Sequence, residues 1–137
     1  MKLVVDANIV FAALIKKGWT FDFIRLLSKR GFKLYSPAYI LKETNDRIDR
    51  LEHFSGLNKT EIGFLIDILF RRIEVVPERK YNKFIKEAQE LLPRHPKDVP
   101  YFALALSLDC AIWSNEKRLK QQSCISVVST DELKSFF

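Results

Sequence analysis

Five short apolar runs are spaced along the sequence, and longer segments with helical periodicity separate them. The runs cover residues 3–5, 32–35, 73–76, 111–113 and 125–128. Runs of this kind predict strands buried on both faces, and strands that alternate with helices predict a parallel sheet with right-handed crossovers. We therefore expect an α/β fold formed by a single domain over residues 1–137, a length that supports a substantial core.

Helix start and stop signals fit between the predicted strands. Gly31 follows an amphipathic segment and occupies the usual position after a helix C-terminus. Ser36 and Pro37 predict the N-terminus of a third helix, with Ser as the N-cap. Asn58 and Glu61 have the spacing of a capping box and predict the start of the next helix.

The formal net charge is +6 and the sequence pI is about 9.4. This balance favours an anionic partner, and RNA or DNA is the first class to consider. An ordinary lysine-rich surface gives the same net charge, so the charge alone does not distinguish the two interpretations.

The sequence predicts a cytoplasmic protein. Met1 and Lys2 lead directly into the first strand without a signal peptide, and no apolar run reaches the length of a membrane span. Cys110 and Cys124 both lie in apolar surroundings, which predicts buried thiols in a reducing compartment rather than a disulfide.

Four carboxylates are predicted at one edge of the sheet. Asp6 follows the first strand and Glu116 follows the fourth. Glu43 lies early in the helix after the second strand, and Asp98 begins the helix that leads to the fourth strand. In βαβ units the helix N-termini lie where the strands end. If the strand order reverses between strands one and four, these acids border the crevice where open α/β sheets bind ligands.

Each acid also has an ordinary structural explanation. Asp6 and Asp98 are good helix N-caps, Glu43 has the spacing to pair with Arg47, and Glu116 suits a helix N-terminus. The four together favour a functional site, because other acids of the chain lie in mid-helix positions that predict solvated faces.

Clustered carboxylates repel one another unless a cation binds them. Ligation by oxygen alone suits Mg²⁺ or Mn²⁺. In a basic protein such a site indicates phosphate chemistry, in which the metal activates water and stabilises the charge of an in-line displacement. Lys97, Lys117 and Arg118 lie beside these acids in sequence, and we expect them to contact a nucleic-acid backbone.

The ordered set of motifs resembles the PIN-domain nuclease family. It comprises LVVDAN at 3–8, Glu43, Asp98 at the start of an alanine-containing helix, and WSNE at 113–116. The resemblance covers essentially the whole chain. Asn8 and Glu116 depart from it, because the family often has Ser or Thr at the first position and Asp at the second, but all four acids are present.

The resemblance implies a three-layer α/β/α sandwich with a five-stranded parallel sheet and a Mg²⁺- or Mn²⁺-dependent endoribonuclease activity on RNA. It also implies a homodimer and the toxin of a VapBC-type toxin–antitoxin pair, with a small antitoxin protein as partner. Carried over by position, the catalytic acids are Asp6, Glu43, Asp98 and Glu116. Of these, the metal ligands are Asp6, Asp98 and Glu116. The supporting residues are Asn8 and Ser114.

Two other phosphate-processing classes fit the sequence poorly. A haloacid-dehalogenase-type phosphatase needs an acid two positions after the first Asp, where this chain has Asn8. A response-regulator receiver needs an Asp after the third strand, where this chain has Val76, Pro77 and Glu78. The remaining alternative is a non-catalytic PIN-like module that binds RNA or a protein.

The predicted helix after Asn58 is apolar over a wide arc. One stripe facing the sheet does not need so many apolar residues, so we expect the segment 37–72 to contribute to a dimer, although a fully covered core helix has the same pattern. Trp19 and Tyr101 are expected in the core, where large aromatic residues are most often found.

Overall fold

The computed structural model describes residues 1–15 and 18–137, and a five-stranded parallel sheet lies at its centre. The strands are β1 (Lys2–Val5), β2 (Lys33–Pro37), β3 (Ile73–Val76), β4 (Ala111–Trp113) and β5 (Val127–Val128). Their order is β3-β2-β1-β4-β5. The order therefore reverses at β1, which pairs with β2 on one side and β4 on the other, so the condition for a switch-point crevice is met.

Helices connect the strands and cover the sheet. They are α1 (Ala7–Ile15), α2 (Trp19–Lys29), α3 (Tyr39–Asp46), α4 (Ile48–Ser55), α5 (Lys59–Leu69), α6 (Ile85–Leu91), α7 (Val99–Leu108) and α8 (Thr130–Lys134). Leu3 and Val4 point to opposite faces of the sheet, yet both are buried. Both faces are therefore covered, which confirms the expected α/β/α layering.

The segment around Ser36 and Pro37 differs from the prediction. Both residues belong to β2 and pair with β3, and helix α3 begins only at Tyr39. Ser36 is fully buried, and its hydroxyl donates to the carbonyl oxygen of Val5 at 2.8 Å. Long-range pairing with β3 thus overrides the local helix-start signal. Pro37 is the last residue of the strand.

The predicted third helix is two helices separated by Arg47. The hydroxyl of Thr44 donates to the carbonyl oxygen of Ile40 at 2.7 Å, a type of bond that bends helices, and α3 ends two residues later. Leu41, in the first turn of α3, is 49% exposed.

The other local signals have the predicted roles. Gly31 has φ of +88° after α2, a left-handed conformation that suits glycine. The amide of Glu61 donates to the side chain of Asn58, and the Glu61 carboxylate accepts from the Asn58 amide, so the capping box is present.

Two expectations about buried side chains are wrong. Cys124 is exposed and Cys110 is half-buried, and both are free thiols. Trp19 is 49% exposed, whereas Tyr101 is buried as expected. Within the described ranges, no helix is both long enough and apolar enough to cross a membrane.

We expect Asn58→Ala to lower the free energy of unfolding by about 1 kcal/mol, because the substitution removes the acceptor for the Glu61 amide. Urea denaturation measures the change. Asn58→Asp keeps the acceptor and serves as the control, and an equal loss in both variants would contradict the capping role.

Candidate active site

Asp6 lies at the junction between β1 and α1, at the point where the strand order reverses. Its amide donates to the carbonyl oxygen of Trp113 at 3.0 Å and completes the pairing with β4. Its own carbonyl oxygen accepts from the amides of Ile9 and Val10 in the first turn of α1. The backbone of Asp6 therefore belongs to both elements, and its side chain is fixed at the carboxyl end of the central strand.

The Asp6 side chain is almost completely buried, with 3% of the residue exposed. The hydroxyl of Ser114 donates to Asp6 Oδ2 at 2.8 Å. The pKa of Asp6 is raised to about 6, chiefly by burial and also by the charges of Asp98 and Glu116, against the lowering effect of the Ser114 bond. The site thus holds more negative charge near Asp6 than its own hydrogen bonds offset.

Asp98 and Glu116 flank the guanidinium group of Arg118. Arg118 Nη1 donates to Asp98 Oδ2 at 2.9 Å, and Arg118 Nε lies 3.5 Å from Glu116 Oε2. Asp98 precedes α7 but its carboxylate makes no capping bond to the helix. The expected cap is therefore absent, and the carboxylate pairs with Arg118 instead.

The two supporting residues also contact the acids. Asn8 Nδ2 donates to Glu116 Oε1 at 2.8 Å. The hydroxyl of Ser114 accepts from the Glu116 amide at 3.1 Å while it donates to Asp6. Ser114 therefore connects the segment after β4 to the acid after β1.

Glu43 joins the same region from α3. It is half-buried, and the hydroxyl of Tyr101 donates to Glu43 Oε1 at 2.5 Å. Burial raises the pKa of Glu43, the Tyr101 bond and the positive charges of Arg47 and Lys97 lower it, and Asp98 raises it. Asp98 thus raises the pKa of both Glu43 and Asp6, which indicates that the acids share one electrostatic environment.

Tyr101 is a site residue that the sequence argument missed. Its side chain was assigned to the core, and the ring is indeed buried. Its hydroxyl nevertheless bonds Glu43, and burial raises the pKa of that hydroxyl well above its usual range. Its place in the first turn of α7, three residues after Asp98, is the signal that could have predicted this contact.

The acidic side chains share one region but do not form a ready-made metal site. Within residues 1–15 and 18–137, no group of three His, Cys, Asp or Glu side chains is arranged to hold a metal ion. In this arrangement Arg118, Asn8 and Tyr101 each donate to a carboxylate oxygen of Asp98, Glu116 or Glu43.

The chemistry of the donors still fits a hard divalent ion. Asp6, Asp98 and Glu116 supply only oxygen atoms, the preferred ligands of Mg²⁺ and Mn²⁺. Burial, and to a lesser degree the charges of Asp98 and Glu116, raise the pKa of Asp6 and so disfavour its charged form. A divalent ion would supply that compensation once the carboxylates rotate away from their present donors.

The predicted nucleic-acid contacts lie beside the acids. Lys97 and Lys117 are exposed, and the Arg118 side chain is 38% exposed. Their charges are therefore accessible to solvent.

A parallel sheet of this order, with acids at the carboxyl end of its central strand, defines an open α/β protein with a polar site at its switch point. The family model of the PIN domain matches residues 4–135, so the chain belongs to the PIN domain family. A search of curated protein sequences found no significant match.

The fold is also similar to that of a solved structure from Rickettsia felis. That crystal structure is described as VapBC2 bound to a DNA fragment from their promoter. The TM-score is 0.75 and the sequence identity is 16%, and the match covers 94% of this chain and 98% of the other. At this identity the similarity shows the fold.

In metal-free protein we expect Asp6→Asn to be more stable than the wild type above pH 6, by up to about 3 kcal/mol. The folded pKa of Asp6 is about 6, above its ordinary value of 3.8. The folded state therefore binds the proton more tightly, and the wild type loses stability as the pH rises between these values. Denaturation in EDTA from pH 4 to 8 measures the difference, which should be small at pH 4 because Asp6 is then largely protonated in the folded protein.

Asp131→Asn is the control, because this acid is exposed in the first turn of α8. If the wild type instead gained stability relative to Asp6→Asn as the pH rises toward 6, the raised pKa assigned to Asp6 would be wrong.

Proposed function

We propose that this chain is a Mg²⁺- or Mn²⁺-dependent endoribonuclease, with residues 1–137 acting as a single domain. Membership of the PIN domain family supports a nuclease. The observation that carries the proposal is buried Asp6 at the switch point, with a pKa raised by burial and by two further acids. Buried carboxylates brought together in this way cost stability unless a cation compensates them.

Asp6, Asp98 and Glu116 are the proposed metal ligands, and Glu43 is the fourth catalytic acid. When bound, the ion would supply a polarised water and would stabilise charge on the phosphodiester. Ser114 holds Asp6 and positions Glu116 through its two hydrogen bonds, and Asn8 restrains Glu116.

Glu43 and the basic residues have separate proposed roles. The Tyr101 hydroxyl holds Glu43 Oε1, which leaves Oε2 available to accept a hydrogen bond from a substrate-side water. Lys97, Lys117 and Arg118 bind the RNA backbone at the solvent side of the crevice. The formal net charge of +6 supports an anionic substrate.

We further propose that the protein is a cytoplasmic toxin with a small antitoxin protein as partner. The similarity in fold to a structure described as VapBC2 supports a toxin–antitoxin pair. The nuclease activity and the antitoxin partner are separate proposals, because cleavage of RNA by the isolated chain does not require an antitoxin.

A non-catalytic PIN-like module that binds RNA or a protein is the second candidate. The pairing of Arg118 with Asp98 and Glu116 favours it, because these acids are then engaged by the protein itself. Cleavage by the purified chain distinguishes the two candidates.

A homodimer through the segment 37–72 is also proposed. Large apolar side chains are exposed on α3, α4 and α5, namely Leu41, Phe54 and Phe64. Phe64 also lines an open groove of about 610 Å³, between α5 and the first two helices, whose walls are mainly apolar. Exposed apolar surface of this kind is typical of protein interfaces.

We expect the purified chain to cut single-stranded RNA with Mg²⁺ or Mn²⁺ and to lose this activity in EDTA. Asp6→Asn and Asp98→Asn should each abolish cleavage, because each removes a charged metal ligand. Gel analysis of a labelled RNA measures the cleavage rate.

Asp67→Asn is the matched control, because Asp67 is an exposed acid on α5. It should cut at the wild-type rate. Wild-type activity in Asp6→Asn or Asp98→Asn, with contaminating nuclease excluded, would remove that residue from the site. A wild type that cuts no RNA while still binding it would favour the non-catalytic module.

We expect the wild type to be a dimer at micromolar concentration and Phe64→Asp to be largely monomeric, because a buried charge is costly in an apolar interface. Light scattering after size-exclusion chromatography measures the mass. The control is Phe136→Asp, which changes an exposed aromatic residue outside the segment 37–72. A monomeric wild type would refute the dimer.

A further inference from the structure

Arg118 occupies the place of a cation between two of the proposed metal ligands. We propose that Arg118 is the built-in counter-ion of the metal-free site, and that a divalent ion binds only when Arg118 releases Asp98 and Glu116. The inference rests on the proposed function, because it concerns the same acids, and it adds a competition between a side chain and the metal.

The contacts of Arg118 carry the inference. Its Nη1 donates to Asp98 Oδ2 at 2.9 Å, and its Nε lies 3.5 Å from Glu116 Oε2. One guanidinium group thus faces two acids that come from different elements. A guanidinium presents several N–H donors in a fixed plane, which suits this bridging position better than an ammonium group.

The Asp98 and Glu116 oxygens that face Arg118 already interact with one positive charge, so a second cation competes with the guanidinium for them. Asn8 binds the second oxygen of Glu116, so this acid has donors at both oxygens. No group of three acidic, His or Cys side chains in the described part of the chain is arranged to hold a metal. Metal binding at these acids is therefore expected to compete with the contacts that Arg118 and Asn8 make.

Arg118 is placed so that it can move. It follows Glu116 on a short 3-10 turn, Lys117–Gln121, and its side chain is 38% exposed, whereas that of Asp98 is 14% exposed. The Asp98 side chain is thus the more buried of the two partners, and we expect Arg118 to be the one that moves. Once released, the guanidinium remains at the solvent side of the crevice, where it can bind a phosphate of the RNA.

The test measures metal affinity instead of cleavage. Mn²⁺ is titrated calorimetrically into chelator-treated wild type, Arg118→Ala, Arg118→Lys and Lys117→Ala at constant pH and salt. We expect Arg118→Ala to lower the Kd for Mn²⁺ about fivefold, the factor that corresponds to one exposed or partly exposed ion pair of about 1 kcal/mol. Arg118→Lys should lie between Arg118→Ala and the wild type.

Lys117→Ala is the control for a general change in charge, because it removes one positive charge from the exposed residue next to Arg118. It therefore distinguishes that effect from direct competition between Arg118 and the metal. It should change the Kd less than twofold, by the weak effect of a screened surface charge. Equal tightening in Lys117→Ala and Arg118→Ala, or no tightening in Arg118→Ala, would overturn the competition.

A spectroscopic measurement on the wild type provides a second criterion. The side-chain Nε–H resonance of Arg118 should shift during a Mg²⁺ titration with the same midpoint as metal binding, and an unchanged resonance at saturation would contradict the inference. If the wild type binds metal and cuts RNA but Arg118→Ala binds Mn²⁺ no more tightly than the wild type, only this inference fails. If neither protein binds metal, the inference and the proposed function both fail.

Discussion

The pairing of β1 between β2 and β4 is the constraint on which the site depends. The register places Val5 opposite Trp113, so the next residues on the two strands, Asp6 and Ser114, are neighbours. Their side chains are then close enough for the bond between Ser114 Oγ and Asp6 Oδ2. A shift of one residue in this register would turn the side chains of β1 to the opposite faces and would remove that contact.

The pairing of β1 also fixes the other side of the crevice. The Val5 carbonyl accepts from the buried hydroxyl of Ser36, which holds the end of β2 against the end of β1. Helix α3 begins three residues later and carries Glu43 toward the same edge. Helix α7 packs on the central strands and brings Asp98 and Tyr101. The acids are therefore brought together by the sheet order, although they are far apart in sequence.

Much of the fold follows from the sequence because it depends on short-range patterns. The apolar runs predict β3 and β4 with the bounds that the structure has, and the Asn58 capping box predicts the start of α5. The Ser36–Pro37 segment was misassigned because its local signal is that of a helix, while its conformation is determined by β3, about 40 residues away in sequence.

The positions of the four acids at one edge were predictable, but their partners were not. Topology predicts where a backbone segment lies, and it does not predict which neighbour a long side chain contacts. The bridge from Arg118 to Asp98 and the hydrogen bond from Tyr101 to Glu43 depend on side-chain packing between distant elements. The same reasoning explains why the sequence suggested a helix cap for Asp98, whereas the structure gives it an arginine partner.

The basic and acidic residues of the crevice come from the same short segments. Lys97 precedes Asp98, and Lys117 with Arg118 follows Glu116. The elements that deliver the acids to the switch point therefore also deliver cations to its solvent side. An acidic centre alone would repel a phosphate backbone, and a basic surface alone could not concentrate negative charge around a divalent ion. Under the proposed function the acids would bind the metal and the exposed cations would bind the polyanion. Arg118 is partly exposed and pairs with Asp98 and Glu116, so it would link the two groups of charges.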